Sequence, residues 1–423
     1  MTATTSPTDV APVASVAAAA AARPTGRRAA RFGHRTGFVV VALAFATAMA
    51  FSTVPTPLYL LYQQRDGLPT LAITLVFAAY AVGVAASLYF VGHVSDWIGR
   101  RRVLLAGLAA ELAAGLLFLA WNDLGGLLVA RFVSGVGIGL ITATATAHLG
   151  ELREVAPGRA GSGAVVGLAN IGGLALGPLL GGLLAQFAPA PLEVPYLAFV
   201  VLLALAALVV SMVPETVEAP AERPAYRPQR LAVPRSGRAT FAAAAAAAFA
   251  GFAVFGLFTS LTPSVLAGVL HESSRLVAGL VSAAVFASAA LAQLAAGRVR
   301  LRMQLSVALV LTLAGLGMLA WAVLTGGFAL FVQAAILAGA GVGLLFRGAI
   351  GVAGSLARPE SRGEVLAGVF LVAYLGLALP VLAIGLALAV IPLGSTVVGF
   401  ALVVAVLVAI ATPVLIRRAA RPA

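Results

Sequence analysis

The chain has 423 residues, 61% of them hydrophobic and only 10% charged, with a formal net charge of +13. That polar fraction cannot solvate a water-soluble globule of this length. No cysteine is present, which removes disulfides, thiolate metal sites and cysteine nucleophiles. No lysine is present either, so there is no Gly-Lys-Ser/Thr nucleotide loop and the chain alone cannot pump by hydrolysing ATP.

Residues 1–36 read as a disordered cytoplasmic tail. Val10–Ala22 is apolar but short and lacks a preceding basic residue, so it does not fit a cleaved secretory signal. A twin-arginine export signal at Arg27-Arg28 is the alternative, and its removal would invert the topology downstream. Twelve apolar stretches follow, each near the roughly 20 residues a helix needs to cross a bilayer. The first six are Gly37–Tyr62, Thr70–Val91, Val103–Trp121, Gly125–Gly150, Gly161–Phe187 and Pro195–Val213. The second six are Phe241–Val269, Leu276–Ala296, Gln304–Thr325, Phe328–Leu356, Val365–Val390 and Pro392–Leu415.

All but four of the 27 cationic residues, every one an arginine, lie in the tails and in alternate gaps between these spans. Arg65 and Arg275 occupy the other gaps, and Arg131 and Arg347 fall within spans. An excess of arginine marks the cytoplasmic side, so both termini are expected in the cytoplasm of a bacterial cell, in its inner membrane. Dispersed in short loops, this charge suits anionic lipid head groups and not nucleic acid.

Residues 214–238 carry five prolines and five arginines and read as a cytoplasmic linker. They separate a six-helix bundle, 37–213, from a second, 239–415, with a short tail at 416–423. The halves repeat one plan: Thr56-Pro57 answers Thr262-Pro263, Gly135, Gly137 and Gly139 answer Gly339, Gly341 and Gly343, and Pro178 answers Pro380. Pro157 and Arg159 likewise precede the fifth span as Pro359 and Arg362 precede the eleventh. Six being even, both copies have the same orientation, which gives a pseudo-twofold axis along the membrane normal. The expected fold is an all-α membrane protein of two such bundles, enclosing a site near mid-membrane and working by alternating access.

Three motifs carry a family resemblance. Between the second and third spans stands Gly92-His-Val-Ser-Asp96-Trp-Ile-Gly99-Arg100-Arg101-Arg102. A short turn needs glycine to reverse, yet positive-inside chemistry alone does not explain an acid between two glycines. The fourth span holds Arg131 followed by Gly135, Gly137 and Gly139, and the fifth holds Gly173, Gly177, Pro178, Gly181 and Gly182. The chain resembles the major facilitator superfamily in these motifs, and in the third of them its proton-driven drug antiporters. The resemblance implies that Asp96 and Arg100, with Gly92, Gly99 and Arg101, form a gate that latches the halves in the outward-facing state. The matching loop of the second half, Gly297–Arg302, lacks the acid. It also implies that the glycines and Pro178 of the fifth span form a hinge; ordinary small-residue packing is the alternative.

Ionisable groups inside spans are few. Arg131 is expensive in hydrocarbon unless partnered or hydrated. Glu111 is the carboxyl deepest in a span, and low dielectric favours the neutral form of such a group. It serves proton coupling or forms a fixed ion pair with Arg131. His148 titrates in a useful range but also fits an interfacial position. In the family the cavity is lined chiefly by spans 1, 4, 7 and 10, with contributions from 2, 5, 8 and 11, and this implies Thr53, Tyr59, Asn170, Phe255, Gln293, Gln333 and Tyr374 as candidate contacts. So little fixed charge suits an amphipathic or hydrophobic substrate. The expectation is a monomeric, proton-coupled exporter without cofactor or metal. A metabolite uptake symporter or facilitator on the same fold is the alternative. A membrane enzyme is disfavoured, because the four histidines are scattered.

Overall fold

The computed structural model describes residues 32–157, 162–217, 226–228, 237–358 and 362–420. The expected tail at 1–36 therefore lies almost wholly outside the described residues, as does most of the linker. The twelve membrane helices are α1 (His34–Asp66), α2 (Thr70–Val91), α3 (Arg100–Ala120), α4 (Leu124–Val155), α5 (Gly163–Phe187) and α6 (Val194–Val210), then α7 (Arg238–Ser260), α8 (Arg275–Arg298), α9 (Leu301–Thr325), α10 (Phe328–Ser355), α11 (Gly363–Ala387) and α12 (Leu393–Ala419). Eleven are plainly long and apolar enough to span a bilayer. With 17 residues, α6 is the shortest and just meets that requirement.

Prolines punctuate the helices at matching places. The α1 helix stops at Thr53, passes through a 3-10 turn at Thr56–Leu58 and resumes as Tyr59–Asp66. In the second half α7 stops at Ser260 and a short helix, Thr262–Gly268, follows with Pro263 in its first turn. Pro57 and Pro263 each lack the N–H that an unbroken helix would use there. At the start of α4 the exposed Asp123 carboxylate accepts the Gly126 N–H at 2.9 Å. That bond holds its pKa below the usual carboxylate range.

Lipid supplies no hydrophobic force between helices, so close packing of small residues must hold them together. The glycine runs do this in the same way in both halves. A Cβ on Gly135 would overlap the Tyr80 carbonyl of α2, and one on Gly139 would meet Ser87 of the same helix. Gly137, on the opposite face, makes room for Glu111 of α3. In α10, Gly339 and Gly343 press on Val285 and Ala289 of α8, while Gly341 meets Thr312 of α9. Thus α4 sits on α2 and α3 as α10 sits on α8 and α9, which is the repeat in three dimensions.

The bundles meet along α2 with α11 and α5 with α8. Near the arginine-poor ends of these helices, Gly182 abuts Gly279 and Gly385 abuts Thr74.

Candidate functional site

Between the halves lies a cavity of about 190 Å³. Its two walls differ. The first half contributes polar groups: Thr53 from α1, Tyr80 from α2, Arg131 from α4 and Asn170 from α5. The second half contributes a run of touching aromatic rings. Phe252 lies with its ring 5.3 Å from Tyr374 and 5.0 Å from Phe346, and Phe255 stacks on Phe286 at 4.9 Å. Phe370 continues the run 5.7 Å from Phe346.

Arg131 is only 1% exposed. One Nη donates to the Ser52 carbonyl at 2.7 Å, and the guanidinium lies over the Tyr80 ring at 4.4 Å and nearer the edge of range over Phe77 at 5.9 Å. Its Nε has no partner. Asn170 stands in a π-helical turn, Leu168–Gly172, inside α5. Such turns widen a helix by one residue and recur at functional sites. On α8, the Gln293 amide donates to the Gly343 carbonyl at 3.0 Å. Thr53 ties α1 to α5 through the Leu174 carbonyl at 3.0 Å.

Glu111 is fully buried within the first half and does not line the cavity. Ser134 donates to one carboxyl oxygen at 3.0 Å, and the other oxygen has no partner. The fixed Glu111–Arg131 ion pair is not formed: each group has its own partner, and they interact electrostatically across a gap. His148 is buried, with Nε2 3.1 Å from the Pro214 carbonyl, where it fastens α4 to the end of α6. Arg347 is exposed on α10 and donates to the Gln293 carbonyl at 2.8 Å.

The Gly92–Arg101 loop is knitted into its own half. Arg100 pairs with Asp96 and, at 2.8 Å, with Glu151 of α4. Glu215, just past α6, accepts the backbone N–H groups of Arg100 and Arg101 at 2.8 and 3.1 Å, capping α3. Between them Gly99 adopts a φ of 107°, and a Cβ there would meet a Glu215 oxygen at 2.5 Å. The Asp96 side chain is 54% exposed and faces a second cavity of about 480 Å³, opposite Gly363 of α11. Thr142 and Phe370 line both cavities, so the two adjoin on the side of the arginine-rich face.

The other face is shut. There the Arg275 side chain of α8 donates to the Ala185 carbonyl of α5 at 2.9 Å, and its backbone N–H donates to Gln186 at 3.1 Å. Ser264 reaches Gln63 across the halves at 3.4 Å. The ridge of Gly173, Gly177 and Gly181 packs against α1, whereas Gly182 and the Pro178 carbonyl meet Gly279 of α8.

Of the cavity residues expected from sequence, Thr53, Asn170, Phe255, Gln293 and Tyr374 line it. Two do not. Tyr59 is buried inside the first half, and Gln333 points outward from α10. Sequence reasoning missed Phe286, Phe346 and Phe370, and it placed Arg131 among the proton groups and not in the cavity wall. The spacing of Phe77 with Tyr80 and of Phe370 with Tyr374, one helical turn apart, was the available signal.

The family model described as Major Facilitator Superfamily matches residues 41–381. The chain belongs to the Major Facilitator Superfamily. It is accordingly a transporter of small molecules across a membrane and not an enzyme. A stretch of 126 residues is 35% identical to the puromycin resistance protein pur8 of Streptomyces alboniger, covering 29% of this chain and 25% of that protein. The chain thus matches about a quarter of the length of that curated relative. Solved structures share the superfamily fold at low identity. A bacterial homologue of the human lysosomal transporter Spinster, inward-facing and unoccupied, aligns with a TM-score of 0.66 and 13% identity over 93% of this chain and 98% of that one. The human organic anion transporter MFSD10 aligns at 0.64 and 16% over 91% and 100%. The nucleoside transporter NupG aligns at 0.67 and 10% over 90% and 99%.

Proposed function

We propose that this superfamily member is a secondary active transporter that exports small amphipathic or hydrophobic compounds in exchange for protons. In this reading it sits as a monomer in a bacterial cytoplasmic membrane, with both termini in the cytoplasm and its arginines on anionic head groups. The cavity then faces the cytoplasm. The observation that carries the reading is the central cavity itself: it lies between two pseudo-symmetric halves, is walled by aromatic rings, is bridged across the halves at one face and adjoins a second cavity towards the other. Such a chamber presents its contents to one side at a time when the halves rock. Export is supported by the match to a resistance protein and by the glycine and proline motif of α5. Proton exchange is supported by Glu111, a fully buried carboxyl with one free oxygen beside a cationic cavity wall.

A second reading, uptake or facilitated diffusion of a metabolite, has one observation in its favour: Glu111 stands outside the cavity lining. Proteoliposomes separate the two. A panel of compounds is tested for flux with and without an imposed pH gradient. Exchange requires gradient-driven accumulation that Glu111→Gln abolishes while substrate counterflow persists. Flux that ignores the gradient in the unaltered protein rejects coupling and leaves the facilitator.

A further inference from the structure

The central cavity is lined by a cation with no carboxylate in the same lining. Among its lining residues Arg131 is charged and no Asp or Glu is present. The nearest carboxyl, Glu111, lies behind the wall and is held by Ser134. Arg131 is 1% exposed, yet its Nε has no partner, although the protein supplies the Ser52 carbonyl and the Tyr80 ring to its other edges. A buried donor of this kind is stabilised by an acceptor that arrives from the cavity. Opposite it stand Phe252, Phe255 and Phe286, which offer ring faces and edges and no polar atom. A permanent cation gains from the ring faces, but in a medium of low dielectric its repulsion by the Arg131 charge outweighs that gain.

We infer that Arg131 is an anion subsite, and that the cavity takes aromatic monoanions, with the carboxylate, sulfonate or phenolate on the guanidinium and the ring system against the second-half phenylalanines. The inference rests on the transporter reading above and names the substrate class for it. The Asn170 amide, set in the π turn of the same polar wall, has no hydrogen-bond partner among the described residues and accompanies Arg131 as a second polar contact.

Three probes that share one ring system, are close in size and differ in charge test it: 2-naphthoate, 2-naphthylmethanol and 2-naphthylmethylammonium. Binding to the purified full-length protein is read by thermal-shift titration, and counterflow is read in proteoliposomes. The expected order is naphthoate at least tenfold tighter than the alcohol, with the cation weakest. Arg131→Gln is expected to erase the preference for naphthoate while the alcohol binds as before, and Arg131→Lys to keep part of it. Should Arg131→Gln not fold, Asn170→Asp serves as the reciprocal variant, weakening naphthoate at least fivefold and strengthening the cation. Equal or tighter binding of the cation, an unchanged preference in these variants, or no binding of any probe overturns the anion subsite. Counterflow of the cation or the alcohol without naphthoate overturns the substrate class and spares the transporter. Absence of counterflow for every compound in the wider panel rejects the transporter reading itself.

Discussion

Gly182 of α5 and Gly279 of α8 stand where each other's side chain would have to be. A Cβ on Gly182 would lie 3.0 Å from the Gly279 Cα, and one on Gly279 would lie 3.1 Å from the Gly182 Cα. This contact crosses from one half to the other, beside the Arg275 bonds that close the arginine-poor face. Replacing Gly279 by Leu is expected to prise that face open. Overpacking of a tight contact generally costs about 1–3 kcal/mol, here charged against the closed state. The cysteine-free chain allows spin labels at Gln64→Cys and Ser273→Cys, exposed positions in opposite halves. Gly279→Leu should lengthen the distance between them; an unchanged distance shows that the contact does not hold the face shut.

Gly99 is constrained twice, by its φ of 107° and by the Glu215 carboxylate packed where a Cβ would be. Gly99→Ala should therefore lower stability by about 1–3 kcal/mol, more than a single strained backbone or a single lost cap would suggest at the lower end. Thermal unfolding of the purified protein is the measurement. If the alanine variant melts with the parent, the Glu215 cap is not what shapes this loop.

Arg100 and Asp96 share a salt bridge but not its consequences. Arg100 also holds Glu151, so Arg100→Ala leaves a half-buried carboxylate short of its donor and should cost about 1–3 kcal/mol. Asp96 is mostly exposed, and losing its half of the pair should cost less than about 1 kcal/mol. Asp96→Asn is nonetheless expected to slow transport, because the side chain faces the cavity between α2 and α11 and, among the described residues, forms no hydrogen bond or ion pair with the other half. A variant with full transport and lowered stability would place Asp96 with the scaffold and not with the gate.

Orientation can be read directly. Asn122 and Glu154 are exposed at opposite ends of α4. In intact cells an impermeant maleimide should modify Asn122→Cys and reach Glu154→Cys only after permeabilisation. The reverse pattern would invert the assignment of the open cavity to the cytoplasm.

The number and order of the helices were legible in the sequence because a bilayer demands long apolar runs, and the halves because proline and glycine recur at matching depths. Pro57 and Pro263 signal the breaks in α1 and α7, whereas hydropathy runs on through both as continuous spans. Rotation about each helix axis was harder to read. A membrane helix is apolar towards both lipid and protein, so periodicity does not say which face Gln333 or Tyr59 presents. Gln333 turned outward and Tyr59 turned into its own bundle for that reason. The π turn at Leu168–Gly172 shifts the phase of α5 by one residue and leaves no mark in hydropathy. Arg131 is costly in any membrane helix, but only the fold shows that the Ser52 carbonyl and Tyr80 absorb part of that cost and leave its Nε without a partner among the described residues.

The two seams between the bundles match: a glycine near the end of α5 on α8, and a glycine near the end of α11 on α2. An interface that repeats itself under a half-turn is what two identical subunits make when they pair. A single ancestral bundle bearing both surfaces would already have been able to dock on its own copy, so that fusing two genes through a linker required no new seam. The difference between the two copies is written on the chamber walls, one richer in polar groups and the other in aromatic rings.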